Sequence, residues 1–266
     1  MLAMYRFSPI LESFNLIKQY IIMQANTFTM TLEDAYMISP HVKHFIFKTP
    51  LETTLNYLPG QFITIYFELD GKELHRSYSI ANPPGSDHRI ELAAGFVENG
   101  PGTTLLFQLN PGDSVQANGP FGRLILKETL LKRYIFVATS TGITPYRAML
   151  PELKQRLRDY PDLSLVFLQG VQTTEDLLYH KEFMSFASEC PRVLYRAQLS
   201  REKQQPFIEP NHAGYVQQAF PALALEPTHD LVYLCGNPSM IDEAFGWLKQ
   251  CGFSPQQIIR EKYISR

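Results

Sequence analysis

The pattern of turns and apolar residues changes part-way along the chain, and this change most constrains the fold. From about residue 27 to 126, short segments rich in β-branched and aromatic residues alternate with turn dipeptides such as Pro59-Gly60 and Asp70-Gly71. Short strands at this spacing are typical of an antiparallel barrel or sandwich. The strand-like segments are HVKHFIFKT, QFITIYFEL, RSYSIA, RIELAAGF and DSVQANG.

The rest of the chain alternates between buried-type strands, such as RYIFVATS, and helix-like segments, such as TPYRAMLPELKQRLRDY. This alternation predicts a parallel sheet covered on both faces. We therefore predict an N-terminal extension over 1–26, an antiparallel β-barrel domain over 27–126 and an α/β parallel-sheet domain over 127–266. A further helix is expected near YVQQAF, and Pro151 is expected to kink the first helix or to start a new turn.

Composition argues against several classes of function. The chain is 45 % hydrophobic and 19 % charged, and its net charge of −2 provides no basic field for nucleic acid. Cys190, Cys235 and Cys251 are too scattered for a disulfide framework, a metal site or an iron–sulfur cluster. They favour a reducing, cytoplasmic setting.

The first 26 residues are apolar in patches, but Glu12 and Lys18 interrupt them. No stretch approaches the roughly 20 apolar residues of a membrane span. We therefore expect no membrane span, and we find no signal-peptide pattern. LESFNLIKQYII is compatible with a short amphipathic helix, and Met1 and Met23 both remain candidate start residues.

Two segments follow strands of the predicted parallel sheet and begin helices. ATSTGITP places Gly142 and Pro145 at one strand end, and LCGNPSM places Cys235 and Gly236 at another. Ligands bind beyond the carboxyl ends of such strands, and the amides of a helix start attract a pyrophosphate. Each segment alone fits an ordinary turn, and the Rossmann and Walker fingerprints are missing. Together, the two segments indicate one crevice.

A polar strand in the barrel half carries a second set of binding groups. In RSYS, the Arg76 guanidinium can bind a phosphate, and the Tyr78 ring offers a stacking plane. Because side chains alternate across a strand, Arg76 and Tyr78 share one face and Ser77 and Ser79 the other. PGTT, at 101–104, is a Gly-led helix start suited to phosphate, although, taken alone, it is better explained as a helix cap.

The order of these motifs resembles the ferredoxin–NADP reductase family, including its bacterial and oxygenase-reductase relatives. The segments that carry the resemblance are, in chain order, PGQF, RSYSIAN, PGTTLLFQL, GPFGRL, STGITP, LSRE, CGNPSM and EKY. The resemblance covers the chain from about residue 27 to the end. The resemblance implies that the barrel binds FAD and that the α/β domain binds a nicotinamide nucleotide.

In the barrel half, the resemblance implies a role for each residue of RSYS. Arg76 would pair with the flavin pyrophosphate, Tyr78 would stack on the isoalloxazine, and Ser79 would lie near its reactive N5. Ser77 belongs to the same cofactor-binding motif. The segment that cradles the pyrophosphate corresponds to Gly102, Thr103 and Thr104.

In the other half, the resemblance implies that Thr141, Gly142 and Pro145 form the nucleotide loop. Ser140 stands where a glycine is common in the family, which would tighten this loop or shift the phosphate. Cys235 resembles the cysteine beside the nicotinamide, and Gly236 follows it in the same binding loop.

The segment EKY resembles a terminal Glu-x-Tyr motif, formed here by Glu261 and Tyr263. In the family, the aromatic ring covers the flavin until the nicotinamide displaces it. Three further residues, 264–266, follow Tyr263, whereas many relatives end at the aromatic. A frayed tail is therefore the alternative interpretation.

The choice between NADPH and NADH depends on LSRE. Ser200 and Arg201 would lie just past a strand, where a 2′-phosphate sits, and a guanidinium suits that doubly charged group. Tyr215 resembles an adenine-stacking tyrosine, whereas Ala213 replaces a lysine of plant-type relatives. We expect NADPH, with NADH as the alternative.

These implications predict an enzyme that passes hydride between NADPH and FAD, and single electrons between FAD and a separate acceptor such as ferredoxin or flavodoxin. We expect a monomer without a metal site or a nucleic-acid partner. Two alternatives stay open: an NADH-dependent reductase component of a multicomponent oxygenase, and a flavin-carrying accessory subunit that uses no nicotinamide. Basic groups at 127–133 and 154–158 would steer an acidic partner, although solvated surface charge is the simpler interpretation.

Overall fold

The computed structural model describes residues 27–53, 55–85, 88–128, 132–203 and 209–263, and these residues form two sheets of six strands each. The predicted N-terminal extension, with its amphipathic helix and Met23, lies outside the described residues, as do residues 264–266. Within the described ranges, no helix combines the length and apolar character needed to cross a membrane.

The first sheet is antiparallel throughout, as its sequence pattern predicts. Its strands are β1 (Thr27–Ser39), β2 (Val42–Lys48), β3 (Phe62–Leu69), β4 (Lys72–Ser79), β5 (Arg89–Gly95) and β6 (Ser114–Phe121). They lie in the order β4-β3-β6-β1-β2-β5. An antiparallel bridge between Ile80 and Leu92 joins the two edge strands and closes the sheet into a barrel.

The barrel interior is filled by alternate residues of its strands. Phe45, Ile63 and Ile65 are fully buried there, which follows from the two-residue period of a strand. Helix α1 (Pro101–Gln108) adds Leu106 to this core and so covers one opening of the barrel.

The second sheet is parallel throughout. Its strands are β7 (Arg133–Thr139), β8 (Ser164–Val171), β9 (Val193–Leu199), β10 (Asn211–Ala213), β11 (Asp230–Gly236) and β12 (Ile258–Lys262). Its helices are α2 (Thr144–Asp159), α3 (His180–Ser188) and α4 (Pro238–Gln250). The predicted fold class, a barrel followed by a covered parallel sheet, is confirmed.

Both faces of the parallel sheet are buried, because separate apolar clusters cover each face. On one face, the ring of Phe136 stacks between Phe167 and Tyr233 of the two neighbouring strands, at centroid distances of 4.9 and 4.8 Å. On the other face, Val137 and Val232 pack against α4 and nearby turns. The centre of the sheet is therefore a firm support for the loops at its strand ends.

The winding of the parallel sheet reverses between β7 and β11. The strand order is β10-β9-β8-β7-β11-β12, so the chain first moves outward on one side of β7 and then returns to the other side. Loops at such a reversal point diverge and leave a crevice beyond the carboxyl ends of the strands. The segments STGITP and CGNPSM both lie at this point.

The structure adds detail to two local expectations. Helix α2 runs unbroken through Pro151, although the proline ring removes the hydrogen bond to the carbonyl one turn earlier. The segment YVQQAF forms a 3₁₀ helix over Val216–Ala219 rather than an α-helix. A second 3₁₀ turn, Pro221–Leu223, follows it, since Pro221 has no amide hydrogen with which to extend a helix.

Candidate active site

Four of the predicted site residues meet where the barrel contacts the parallel sheet. Strand pairing places Glu261 of β12 beside Cys235 of β11, and the Tyr263 amide donates to the Gly236 carbonyl at 2.8 Å. Ser79, the last residue of β4, reaches this group from the barrel. Its Oγ lies 2.6 Å from the Tyr263 hydroxyl and donates to Glu261 Oε1 at 3.3 Å.

Burial controls the protonation of this cluster. It raises the pKa of Glu261 to about 7, against the opposing effect of the Ser79 hydrogen bond. It also raises the pKa of the Cys235 thiol well above its usual range, and the Glu261 carboxylate adds to that effect. The pKa of Tyr263 is raised mainly by burial as well. Near neutral pH, Glu261 is thus the group poised to gain or lose a proton.

The loops after β7 and β11 approach each other too closely for side chains at two positions. A Cβ on Gly142 would lie 2.3 Å from the Cys235 carbonyl oxygen, and one on Gly236 would lie 2.4 Å from Thr139 Oγ1. Gly236 also has a φ of +122°, which favours glycine. The Asn237 amide donates to Thr139 Oγ1 at 2.8 Å and ties the two loops together.

The start of α2 presents groups that suit an anion. A 3₁₀ turn, Ser140–Ile143, leads directly into α2, and no side chain caps its first amides. Pro145 lies in the first helical turn, where its missing amide hydrogen costs nothing. The Thr144 hydroxyl is buried and has no hydrogen-bond partner among the described residues. Ser140 has a φ of +48°, which explains why a glycine is suited to this position.

A cavity of about 1080 Å³ opens beyond the carboxyl ends of the parallel strands. It extends from Tyr263 to the loop after β9, and residues of the β1–β2 turn form part of its wall. The predicted residues that line it are Thr141, Ser200, Arg201, Tyr215, Gly236 and Tyr263. Gly142, Pro145 and Cys235 are buried beside it instead and shape its floor.

The far end of this cavity holds the residues expected to select the nucleotide. Arg201 is exposed, and its Nη1 donates to Gln172 Oε1 at 3.3 Å. The Ser200 hydroxyl donates to the Val171 carbonyl at 3.2 Å. The Tyr215 side chain is 61 % exposed, so one face of its ring is open to a planar ligand.

Several cavity residues were missed by the sequence reasoning. Asp176 and Glu243 bring negative charge to the cavity wall, and Gln172 holds the Arg201 guanidinium. Asn237 caps α4 by accepting hydrogen bonds from two amides of its first turn. The segment TTED, which begins two residues after the end of β8, carried a recognisable signal, because Thr173 and Asp176 form a capping box.

The other predicted binding group lies where β4 meets α1. A Cβ on Gly102 would lie 2.8 Å from Arg76 Cγ, so the glycine lets the helix start rest on the arginine. Strand pairing places Arg76 opposite Ile65 and Tyr78 opposite Ile63, which confirms that the two share one face. The Tyr78 hydroxyl is buried without a hydrogen-bond partner in the described part of the chain.

The threonine hydroxyls of α1 donate hydrogen bonds to the backbone of the loop that precedes the helix. The Thr103 and Thr104 hydroxyls both donate to the Gly100 carbonyl at 3.0 Å, and no side chain caps the helix. Ser77 lies on the opposite face of β4 and pairs with Thr64 at 3.0 Å, away from Arg76. Arg76, an uncapped helix start and the buried Tyr78 hydroxyl together fit a ring-bearing pyrophosphate ligand such as FAD.

Comparison with known proteins agrees with both halves of this geometry. A model of the oxidoreductase FAD-binding domain matches residues 29–125, and a model of the oxidoreductase NAD-binding domain matches residues 136–245. The fold and the site therefore define an oxidoreductase that uses FAD and a nicotinamide nucleotide. Ferredoxin–NADP reductase B of Sorangium cellulosum (strain So ce56) is 32 % identical over 225 residues, which cover 82 % of this chain and 90 % of that protein. The chain belongs to the ferredoxin–NADP reductase family.

Other relatives extend the comparison. The reductase component of phenol 2-monooxygenase from Pseudomonas sp. (strain CF600) is 28 % identical over 86 % of this chain, which spans 63 % of that protein. A crystal structure of a Neisseria gonorrhoeae ferredoxin–NADP reductase with bound FAD and NADP shares the fold, with a TM-score of 0.76 at 20 % identity. That match covers 89 % of this chain and 98 % of the other.

Proposed function

We propose that this flavoprotein reductase takes hydride from NADPH and passes electrons singly to a separate acceptor protein of the ferredoxin or flavodoxin type. Bound FAD would supply the chemistry, because its ring accepts a hydride and releases single electrons. The observation that carries the proposal is the Ser79–Glu261–Tyr263 cluster at the meeting point of the two sheets. It lies at one end of the crevice, where a flavin and a nicotinamide would come together.

On the barrel side, Arg76 and the start of α1 would hold the flavin pyrophosphate, and Tyr78 would stack on the ring system. The close packing of Gly102 on Arg76 supports this assignment, since a cation and free amides then face the same anion. Thr103 and Thr104 would act by keeping the loop in shape, because their hydroxyls already donate to its backbone.

On the other side, the loop of Thr141 and Gly142 with Pro145 would hold the nucleotide pyrophosphate against the start of α2. The Tyr263 ring lines the crevice and would leave when the nicotinamide enters. Cys235 and Gly236 would then form the surface on which the nicotinamide lies. Cys235 would act there as a small neutral side chain, since burial keeps its thiol protonated.

Glu261 and Ser79 would hold and exchange a proton at this position. Because the pKa of Glu261 is raised to about 7, its carboxyl can hold a proton under neutral conditions. The Ser79 hydroxyl lies within hydrogen-bonding distance and connects this carboxyl to the Tyr263 hydroxyl. A proton could thus be exchanged along hydroxyl groups without admitting bulk water.

Arg201 supports NADPH over NADH. Its exposed guanidinium at the cavity wall, beside Ser200 and Tyr215, suits a 2′-phosphate. We expect Arg201→Ala to lower kcat/KM for NADPH by about 10- to 100-fold, the range for loss of a charged hydrogen bond, and to leave NADH nearly unchanged. Arg158→Ala, an exposed arginine of α2, is the matched control. Equal effects on both nucleotides would refute this assignment.

The acceptor can be tested with purified protein. Anaerobic NADPH should bleach the flavin absorbance faster than NADH does, and oxidised ferredoxin or flavodoxin should then restore it. A separate acceptor is proposed because Cys190, Cys235 and Cys251 are widely spaced along the sequence and are fewer than the four thiolates that usually hold an iron–sulfur cluster.

Reductase components of oxygenases are the second candidate, supported by the likeness to the phenol 2-monooxygenase component. Faster bleaching by NADH than by NADPH would favour that role. A flavin that responds to neither nucleotide would instead indicate an accessory subunit.

A further inference from the structure

Away from the candidate active site, four side chains link the barrel to the parallel sheet in a closed ring. We call His44, Glu91, Arg147 and Tyr179 the junction ring. Arg147 Nη1 lies 2.6 Å from Glu91 Oε2, and His44 Nε2 lies 3.3 Å from the same oxygen. The Tyr179 hydroxyl lies 2.8 Å from His44 Nδ1, and the Arg147 guanidinium carbon lies 4.9 Å from the centre of the Tyr179 ring.

The junction ring is well shielded from solvent. The His44 side chain is 1 % exposed, and the side chains of Glu91 and Arg147 are about one fifth exposed. Contacts with His44 and Arg147 outweigh burial and lower the pKa of Glu91 to about 2. Charged groups that are shielded from water keep a fixed orientation, because each depends on its partner for the stabilisation that water would otherwise provide.

Arg147 also connects the two cofactor-binding segments directly. Its Nη1 donates to the Ala81 carbonyl at 3.1 Å, and Ala81 lies two residues beyond Ser79. Arg147 itself is in the first turn of α2, immediately after the loop of Thr141 and Gly142. One guanidinium therefore spans the flavin-side strand and the nucleotide-side helix, with Glu182 binding its Nε at 2.8 Å.

Tyr179 is held in a strained conformation at this junction. Its φ of +54° and ψ of +21° place a residue with a large side chain in the left-handed region, just before α3. Such a conformation persists when surrounding contacts stabilise it, and it is found most often at functional sites. Here the contacts are made by the Arg147 guanidinium and by His44. His44 belongs to β2 of the barrel, so the barrel contributes to the shape of the loop that precedes α3.

We propose that Arg147 is a positioning residue for hydride transfer, one that sets the distance between the flavin-side strand and the nucleotide loop. The proposal rests on the function proposed above. Arg147 does not line the crevice and would touch neither cofactor. Hydride transfer needs reacting atoms about 3–3.5 Å apart, and a displacement of about 1 Å can slow a reaction about 100-fold.

The chemistry of the side chain explains why an arginine occupies this position. Its planar fork donates in three directions, to Ala81, Glu91 and Glu182, while its face lies over the Tyr179 ring. The ammonium of a lysine is a point charge and would not maintain all of these contacts together. Arg147→Lys should therefore recover only part of the positioning.

The test compares Arg147→Met with Arg156→Met. Both arginines belong to α2, but the hydrogen bonds of Arg156 among the described residues go to Glu152, to the Tyr134 hydroxyl and to the Lys127 carbonyl. None of these partners belongs to a barrel strand. With FAD-loaded enzyme, we expect Arg147→Met to lower the limiting rate of flavin reduction by NADPH at least about tenfold. Flavin content and the NADPH dissociation constant should stay within about twofold of wild type, and Arg156→Met should behave as wild type.

A second readout separates positioning from stability. The charge-transfer absorbance of the nicotinamide stacked on the flavin should weaken in Arg147→Met and partly return in Arg147→Lys. Should Arg147→Met fail to fold, Glu91→Gln keeps the side-chain shape, removes one charge and should reduce the rate in the same direction.

The possible outcomes distinguish the two proposals. A wild-type flavin that neither nucleotide reduces would overturn both. A reducible wild type would retain the proposed function and leave Arg147 to be judged by its own variants. The positioning role is overturned if Arg147→Met, or Glu91→Gln in its place, reduces at the wild-type rate. It is also overturned if the rate falls only in proportion to lost flavin.

Discussion

Glu261 offers the most direct test of the electrostatics at the sheet junction. Its pKa is about 7 in the folded protein and 4.5 as an ordinary carboxyl, because burial disfavours its charged form. The folded state then binds the Glu261 proton more tightly than the unfolded state does. The free energy of unfolding should therefore fall as the pH rises from about 4.5 to about 7, and this contribution should be constant above that range.

The size of the effect follows from the pKa difference. A difference of about 2.5 units, at 1.36 kcal/mol per unit, corresponds to a loss on the order of 3 kcal/mol between those two pH values. Glu261→Gln carries no titrating proton and should lack this fall. At pH 8 the variant should therefore be more stable than the wild type, whereas at pH 4 the two should be similar.

Urea unfolding at pH 5, 6, 7 and 8 would measure this difference. Glu98→Gln, which removes an exposed carboxylate at the turn before α1, serves as the control and should keep the wild-type slope. In FAD-loaded enzyme, the rate of flavin reduction should also change near pH 7, and Glu261→Gln should abolish that change. Identical pH slopes for the wild type and Glu261→Gln would refute the assignment of a raised pKa.

Three further substitutions test other contacts. Gly102→Ala would place a Cβ 2.8 Å from Arg76 Cγ and should weaken FAD binding about tenfold, measured by flavin titration, despite the better helix propensity of alanine. Asn237→Ala removes the cap of α4 and should lower the free energy of unfolding by about 1 kcal/mol in urea. Asp230→Ala removes the fully buried partner of Arg133 and should cost about 3 kcal/mol, seen as a lower Tm, whereas an unchanged Tm would contradict the ion pair.

The sequence predicted well those features that depend on short segments. Turn dipeptides and strand composition indicated the barrel, and the alternation after residue 126 indicated the parallel sheet. The strand-end glycines could also be predicted, since Gly142 and Gly236 lie in turns whose composition shows the need for close approach. The face shared by Arg76 and Tyr78 followed from the two-residue period of a strand.

Features that depend on distant pairs could not be predicted in this way. Ser79 and Tyr263 are 184 positions apart, and only the resemblance to a family connected them. The contact between Glu91 and Arg147 spans 56 positions, and no local pattern indicated it. Strand β1 was not singled out either, since TFTMTLEDAYMIS mixes polar and apolar residues and gains its burial from both neighbours, β2 and β6.

The three cysteines differ sharply in their access to solvent, and this difference has a practical use. Cys251 is exposed, whereas Cys235 is fully buried in the apolar cluster against which Tyr263 packs. An alkylating reagent should therefore modify Cys251 quickly and Cys235 only during the intervals in which the Tyr263 ring has swung away. The slow labelling rate of Cys235 would therefore measure how often the protein opens the place where a nicotinamide would enter.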